Sequence, residues 1–282
     1  MRLGGPVFVE GKDPEAYVAA HVQKGYRAAY CPGWINADTD PEICAAFRTA
    51  LARHDLVLAE VGIWQNVLSH NRDEARAAME YSVRRLQTAE ELDARCAVNI
   101  VGSWCTTHWD GPHESHYSKD FFDAAVEAAR KVIDAVKPKR TKMTFEVMPC
   151  QFIDSAAEYM RFLKAVDREA AGVHLDPANS IANPRILYGN GDFFRNEFEI
   201  FGQAVVSIHL KDVRLDPSQF TVNIREVPIG KGNIDYVNLL RLIDRLPPDT
   251  PGMLEHLDTE ELYDESAAAL RALAGEAGVR FR

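Results

Sequence analysis

Val205–Asp212 reads VVSIHLKD, an apolar, β-branched run that ends in an imidazole and two charged groups. Three other stretches repeat the plan: TFEVM (Thr144–Met148), VHLDPA (Val173–Ala178) and MLEHL (Met253–Leu257). Each reads as a buried strand with one acid or imidazole late in the run, namely Glu146, Asp176, His209 and Glu255. An unpaired carboxylate in such a setting is strongly destabilising. Any one of these residues alone reads as a satisfied structural group. All four in succession, each at a strand end, call for a common neutralising partner. A divalent cation is the economical one, and it makes the chain look like an enzyme.

Outward from these runs, the same alternation of apolar strand and Ala-, Arg- and Glu-rich helix continues to both ends. Strands are expected near Arg2–Gly5, Arg27–Cys31, Leu56–Ile63, Ala97–Gly102, Lys142–Met148, Gly172–Asp176, Val205–Lys211 and Gly252–Leu257. Helices are expected over Pro14–Lys24, Pro41–His54, Arg72–Asp93, Lys119–Val136, Ser155–Val166, Asp235–Arg245 and Glu260–Ala277. Asp73 and Glu74 suit the positive end of a helix dipole, and Ser118 an N-cap. The continuous apolar run around Val98 fits a parallel strand covered on both faces. Eight β units, each followed by a helix and with no Gly/Ser linker, indicate an α/β fold, a (β/α)8 TIM barrel in one domain over residues 1–282. Trp104–Tyr117, Leu187–Asn196 and Asp212–Asp235 read as long loops. A doubly wound sheet would favour a G-x-G-x-x-G turn after the first strand, and none is present.

Composition narrows the function. The chain of 282 residues is 46% hydrophobic and 26% charged, with a formal net charge of −10. That balance disfavours nucleic acid and anionic membranes as partners. The basic run Lys137–Lys142 precedes a strand and reads as a solvated turn. The five cysteines show no C-x-x-C pair, which fits a reducing compartment. No stretch is long and apolar enough to span a membrane and no apolar leader is seen, so a soluble, cytoplasmic protein is expected.

In a barrel, inward and outward side chains alternate and active sites gather at the C-terminal strand ends. Thr144, Glu146 and Met148 share a face, as do His174 with Asp176, and Ser207 with His209 and Lys211. Glu146, Asp176, His209 and Glu255 thus fall within reach of one metal ion. Oxygen-rich ligation with one imidazole suits Mn²⁺, Mg²⁺, Co²⁺ or Zn²⁺ equally. Lys211 is placed to hold a substrate oxygen or to pair with a nearby carboxylate. His174 lies deeper, and His256 is expected to point outward into helix packing.

FEVMP around Glu146, HLDPAN around Asp176, SIHLKD around His209, VPIGKGNIDY ending at Tyr236 and LEH around Glu255 carry a resemblance. The chain resembles the sugar phosphate isomerase/epimerase family, the xylose-isomerase-like TIM barrels, over nearly its whole length. The resemblance implies that Glu146, Asp176, His209 and Glu255 bind one divalent metal. It also implies that Glu146 and Glu255 serve as acid/base groups on opposite sides of a small carbohydrate substrate. Chemically, a metal holding a carbonyl and its neighbouring hydroxyl polarises the carbonyl and stabilises an enediolate. One glutamate removes the α-proton and the other returns one, giving an epimer or an aldose–ketose isomer. The chain departs from the family pattern at Asn179, where family epimerases often carry a histidine. Asn179 can hydrogen-bond a hydroxyl but cannot shuttle protons.

All four tryptophans fall beyond expected strands at the same mouth: Trp34, Trp64, Trp104 and Trp109. Flat rings pack on the C–H faces of sugars, and Trp64 and Trp104 are nearest the strand ends. The alternative is lid packing or a subunit interface, which would make the chain a homo-oligomer. His108, Asp110, His113 and His116 cluster in one loop that reads as polar structure or substrate contact rather than a second metal site. Gly230-Lys231-Gly232 either binds an anion or shapes a turn. Three functions share these features. The leading one is a metal-dependent sugar isomerase or epimerase. The second is a dehydratase or lyase of inosose or 3-keto-glycoside type, which adds β-elimination to the same proton abstraction. The third, an apurinic-site endonuclease-like metallohydrolase, needs extra ligands where Asn179, Ile100 and Ile224 with Glu226 stand.

Overall fold

The β-branched runs pair side by side because each, buried on both faces, satisfies its backbone only through its neighbours. The computed structural model describes residues 1–282. In chain order the strands are β1 (Arg2–Gly4), β2 (Ala28–Tyr30), β3 (Val57–Gly62), β4 (Cys96–Asn99), β5 (Lys142–Glu146), β6 (Ala171–Leu175), β7 (Val205–Leu210), β8 (Asp212–Leu215), β9 (Ile224–Val227) and β10 (Pro251–Leu254). Eight of them close as a parallel barrel in the order β1-β10-β7-β6-β5-β4-β3-β2, a (β/α)8 TIM barrel. The surrounding helices are α1 (Pro14–Gln23), α2 (Pro41–Arg53), α3 (Arg72–Leu92), α4 (Lys119–Val136), α5 (Ala156–Val166), α6 (Pro184–Tyr188), α7 (Asn190–Phe201), α8 (Tyr236–Ile243) and α9 (Glu260–Ala277). Asp13, Asp40, Asn71, Ser118, Ser155, Asn183, Asp235 and Thr259 each accept a backbone N–H at a helix start, which fixes where the chain turns off the barrel mouth. No helix is long and apolar enough to cross a membrane.

Two of the expected loops are structured. Leu187–Asn196 lies within α6 and α7, whose start is set by Pro184 in the first turn and by Asn183 capping Ile186 N. Buried Phe194, Phe198 and Phe201 then anchor α7 through a helical stripe. Asp212–Asp235 contains the antiparallel hairpin β8–β9, in which Val213 pairs with Glu226 and Arg214 with Arg225. In Trp104–Tyr117 only Glu114–Tyr117 is regular, a single 3₁₀ turn.

The main apolar core lies between barrel and helices and includes Phe47, Leu86, Phe121, Phe162, Leu239 and Leu270. The inside of the barrel is different. Its apolar floor is Ala28, Ala59 and Met253. Beside it lie buried Cys96, Thr144, His174 and Ser207, where most such barrels stack bulky branched side chains.

Two register slips shape this interior. Ala29 pairs with Leu58 but Tyr30 pairs with Glu60, so β3 carries one extra residue, a β-bulge. Likewise Val173 pairs with Val205 but His174 pairs with Ser207, leaving Val206 extra on β7. The β3 bulge brings two successive residues to the interior. Ala59 joins the floor, and Glu60 reaches the ring of His209.

Gly4 shows how tightly the floor is filled. A Cβ there would lie 2.4 Å from the backbone oxygen of Ala28 and 2.6 Å from Met253 Sδ. Gly33, by contrast, opens on empty space. Gly4→Ala should therefore lose about 1–3 kcal/mol of stability by overpacking, read from the urea midpoint. Gly33→Ala should leave the midpoint in place, and equal shifts in the two variants would contradict this packing account.

Candidate metal centre and cavity

Parallel strands deliver their C-terminal residues to one rim. Glu146 closes β5 and His209 is the penultimate residue of β7, while Asp176 follows β6 and Glu255 follows β10. Ligand atoms of these four side chains lie within 4.8 Å of one another. His209 Nδ1 sits 2.8 Å from Glu146 Oε1 and 2.9 Å from Glu255 Oε2. Asp176 Oδ1 accepts the backbone N–H groups of Ala178 (2.9 Å) and Asn179 (3.0 Å), which orients Oδ2 toward the cluster. Oδ2 is buried without a hydrogen bond; Lys211 Nζ lies 2.8 Å away but off the hydrogen-bonding direction.

Lys211, just past β7, is surrounded by acids. Its Nζ is 2.7 Å from Glu255 Oε1 and 3.0 Å from Glu226 Oε1, with His256 Nδ1 at 3.3 Å. The pairing is with Glu255, Glu226 and Asp176, not with adjacent Asp212. Asp212 instead accepts the backbone N–H groups of Val213, Gly230, Gly232 and Ile234. The amides of the Gly230-Lys231-Gly232 loop are thereby used internally, and the loop shapes a turn.

Three members of the cluster escaped the sequence reading. Glu60, only 2% exposed, lies 3.3 Å from His209 Nε2. Glu226 projects from β9 toward Lys211, and His256 stands beside it with Nδ1 3.0 Å from Glu226 Oε2. His256 was expected to face outward into helix packing. Its positive φ of 56° turns the chain after Glu255, so the ring lines the cavity mouth. Glu60 interrupts the apolar run of β3 as visibly as Glu146 interrupts β5. Glu226 and His256 left no comparable signal.

Four largely buried carboxylates (Glu60, Glu146, Asp176 and Glu255) and the more exposed Glu226 thus gather around Lys211 and His209. Burial pushes Asp176 up to about 7, against the pull of Lys211. Burial likewise raises Glu60, although His209 opposes it. Burial would lower His209, but Glu255 and Glu60, with Tyr30 and Glu146, outweigh it and hold the imidazole well above its ordinary value. For Glu255 the burial penalty is overcome by His209, Lys211 and His256, which hold the carboxyl well below the usual range. His174 is driven well below its ordinary value by burial and then by His209, so it is neutral. The excess of buried negative charge, the Asp176 Oδ2 that accepts no hydrogen bond and the one-imidazole, oxygen-rich donor set all fit a divalent cation held by Glu146, Asp176, His209 and Glu255.

The cluster opens into a cavity of about 1020 Å³, whose lining includes Tyr30, Trp64, Trp109, Met148, Asn179, Lys211 and Arg84. Trp64 is well placed, its ring 6.2 Å from that of His209. Asn179 lines the cavity and donates Nδ2–H to Val147 O. Trp104 does not line it. Its indole is held between His70, stacked at 5.8 Å, and the edge of Phe121 at 5.1 Å, so it packs the wall. Trp34 packs on Tyr17 and Phe47. In the loop before α4, buried His116 accepts Trp104 N–H and donates to Cys150 O, while His113 caps the 3₁₀ turn. Those histidines organise the loop.

The family profile described as xylose isomerase-like TIM barrel matches residues 18–273. No curated protein sequence matches the chain. Several solved structures share the fold. D-psicose 3-epimerase from Clostridium cellulolyticum, solved with D-tagatose, is 15% identical, with a TM-score of 0.71 over 99% of this chain and 100% of that one. Endonuclease IV from Thermus thermophilus is 16% identical, with a TM-score of 0.72 over 98% and 100%. A xylose isomerase-like TIM barrel protein from Mycobacterium smegmatis, solved with magnesium, is 16% identical, with a TM-score of 0.65 over 93% and 88%.

A cation entering this cluster must displace protons from His209 and from Asp176, both held above their ordinary values. Binding should therefore release protons, and affinity should fall as pH drops below about 7. Calorimetric Mn²⁺ titration in two buffers of unlike ionisation enthalpy checks this. A pH-independent affinity with no proton release would place the ion elsewhere.

Proposed function

The chain belongs to the xylose isomerase-like TIM barrel family, and on that premise we propose a divalent-metal-dependent isomerase or epimerase of a small sugar or keto-sugar. The observation that carries the proposal is the pair Glu146 and Glu255. They come from β5 and from the end of β10, with β6 and β7 between them, and both reach His209 Nδ1 within 2.9 Å at the buried end of the cavity. Two carboxylates flanking one imidazole nitrogen at a small-molecule site suit removal and return of a proton.

Glu146, Asp176, His209 and Glu255 would hold the ion. Bound there, it would supply a positive charge beside the substrate carbonyl and its neighbouring hydroxyl. One glutamate takes the proton α to the carbonyl, and the C–H electron pair moves toward the carbonyl oxygen. The other returns a proton to the opposite face of that carbon, or one is returned to the adjacent carbon. Lys211, already charge-balanced by Asp176, Glu226 and Glu255, holds a substrate oxygen and stabilises the negative charge that develops. Trp64 and Trp109 offer flat faces to the sugar C–H surface, and Asn179 a hydrogen bond to a hydroxyl.

One observation favours the dehydratase or lyase alternative. His256, held above its ordinary value by its hydrogen bond to Glu226, is a second acid on the cavity wall. An imidazolium there can protonate a leaving group β to the carbanionic carbon, turning proton abstraction into elimination.

Metal-loaded protein incubated in D2O with ketoses and inososes should incorporate deuterium α to the carbonyl. Product identity separates isomerisation from elimination. Glu146→Gln and Glu255→Gln should each reduce exchange by about 10²–10⁴-fold while circular dichroism stays unchanged. Wild-type exchange rates in both variants would remove the proposed acid/base roles. Asp176→Ala should act earlier, lowering metal content by elemental analysis.

A further inference from the structure

Beneath the four candidate ligands lies a second set of buried polar groups that the proposed chemistry does not use. Glu60 is 2% exposed and His174 fully buried. Both oxygens of Glu60 lie 3.3 Å from His209 Nε2, with Oε1 in hydrogen-bonding geometry. The ring of His174 stands edge-on to that of His209 at 4.1 Å, and its Nδ1 is 3.7 Å from Glu60 Oε2. A buried carboxylate is costly, and the chain departs from regular strand geometry to place this one. Without the extra residue of β3, Glu60 and Ala59 would fall on opposite faces, and only one of them would enter the barrel.

From this geometry we infer that Glu60 is a positioning residue that dictates which nitrogen of His209 faces the metal centre. The inference rests on the metal-dependent reading above. Neutral imidazole carries one N–H and one lone pair. A carboxylate accepts only, so it holds the N–H on Nε2. Once a cation engages Glu146 and Glu255, which otherwise compete for an N–H on Nδ1, the lone pair is left on Nδ1, the nitrogen that faces those two carboxylates. The edge of His174 fixes the ring plane. An outer carboxylate of this kind also raises the basicity of the ligating imidazole.

The test uses metal alone. In ¹⁵N-histidine-labelled wild-type protein loaded with Zn²⁺, His209 should show a coordinated Nδ1 and a protonated Nε2. Calorimetry with Mn²⁺ should show about 10- to 100-fold weaker binding in Glu60→Leu. Glu60→Gln, whose amide oxygen still accepts from Nε2–H, should restore affinity to within about threefold of wild type, since outer-partner losses of 10-fold or more accompany a missing acceptor. Coordination through Nε2, or a Glu60→Leu variant that binds Mn²⁺ like wild type, overturns the inference. The NMR arm needs no variant and stands even if Glu60→Leu fails to fold. Wild-type protein that binds neither ion overturns the metal-dependent reading and this inference together, whereas binding through Nε2 overturns this inference alone.

Discussion

The arrangement of this protein depends on one electrostatic constraint: five carboxylates are crowded at the mouth of a closed barrel against Lys211 and His209. Such a group of acids is tolerable only if its charge is compensated locally, because the surrounding strands exclude water and weaken screening. Lys211 compensates part of it and the His209 imidazolium another part. A divalent cation would take over that compensation as it displaces the protons on His209 and Asp176. The wide cavity on one side of the cluster and the closely packed barrel interior on the other give that charge one direction in which to meet a ligand.

The barrel is what makes the crowding reachable. Four neighbouring parallel strands deliver Glu146, Asp176, His209 and Glu255 from their C-terminal ends to one rim. The Asx-type turn after β6 aims Asp176, with two backbone N–H groups fixing Oδ1 and leaving Oδ2 for the site. The bulges in β3 and β7 adjust the layer below. They trade regular pairing for an interior that carries Glu60, His174 and Ser207 in place of branched hydrocarbon. Stability is left to the apolar shell between strands and helices, so the interior is free to be polar.

Much of this was legible in the chain. Strands reveal themselves by apolar, β-branched runs, and a lone acid at the end of such a run is conspicuous. The barrel and its four candidate ligands were therefore readable at once. What hid was whatever depended on departures from regular geometry. Glu60 is visible as an acid in an apolar run, but the bulge breaks the alternation that would assign it to the interior. His256 was misjudged because a left-handed backbone turn redirects its ring to the rim. Glu226 belongs to a hairpin that reads as a loop, since its strands are only four residues each and are joined through the turn-forming residues Asp216, Pro217, Ser218 and Asn223. Trp104 was expected to contact substrate, but its neighbours His70 and Phe121, distant in sequence, hold it in the wall.

The central claim is that one divalent cation occupies the space among Glu146, Asp176, His209 and Glu255. Crystals grown with Mn²⁺, with diffraction data collected at the manganese absorption edge, address it directly. The account predicts a single strong anomalous peak among those four side chains, with His209 Nδ1 and one oxygen of each carboxylate as ligands. A peak held by other residues, or a saturated crystal with no peak in the barrel mouth, would contradict it.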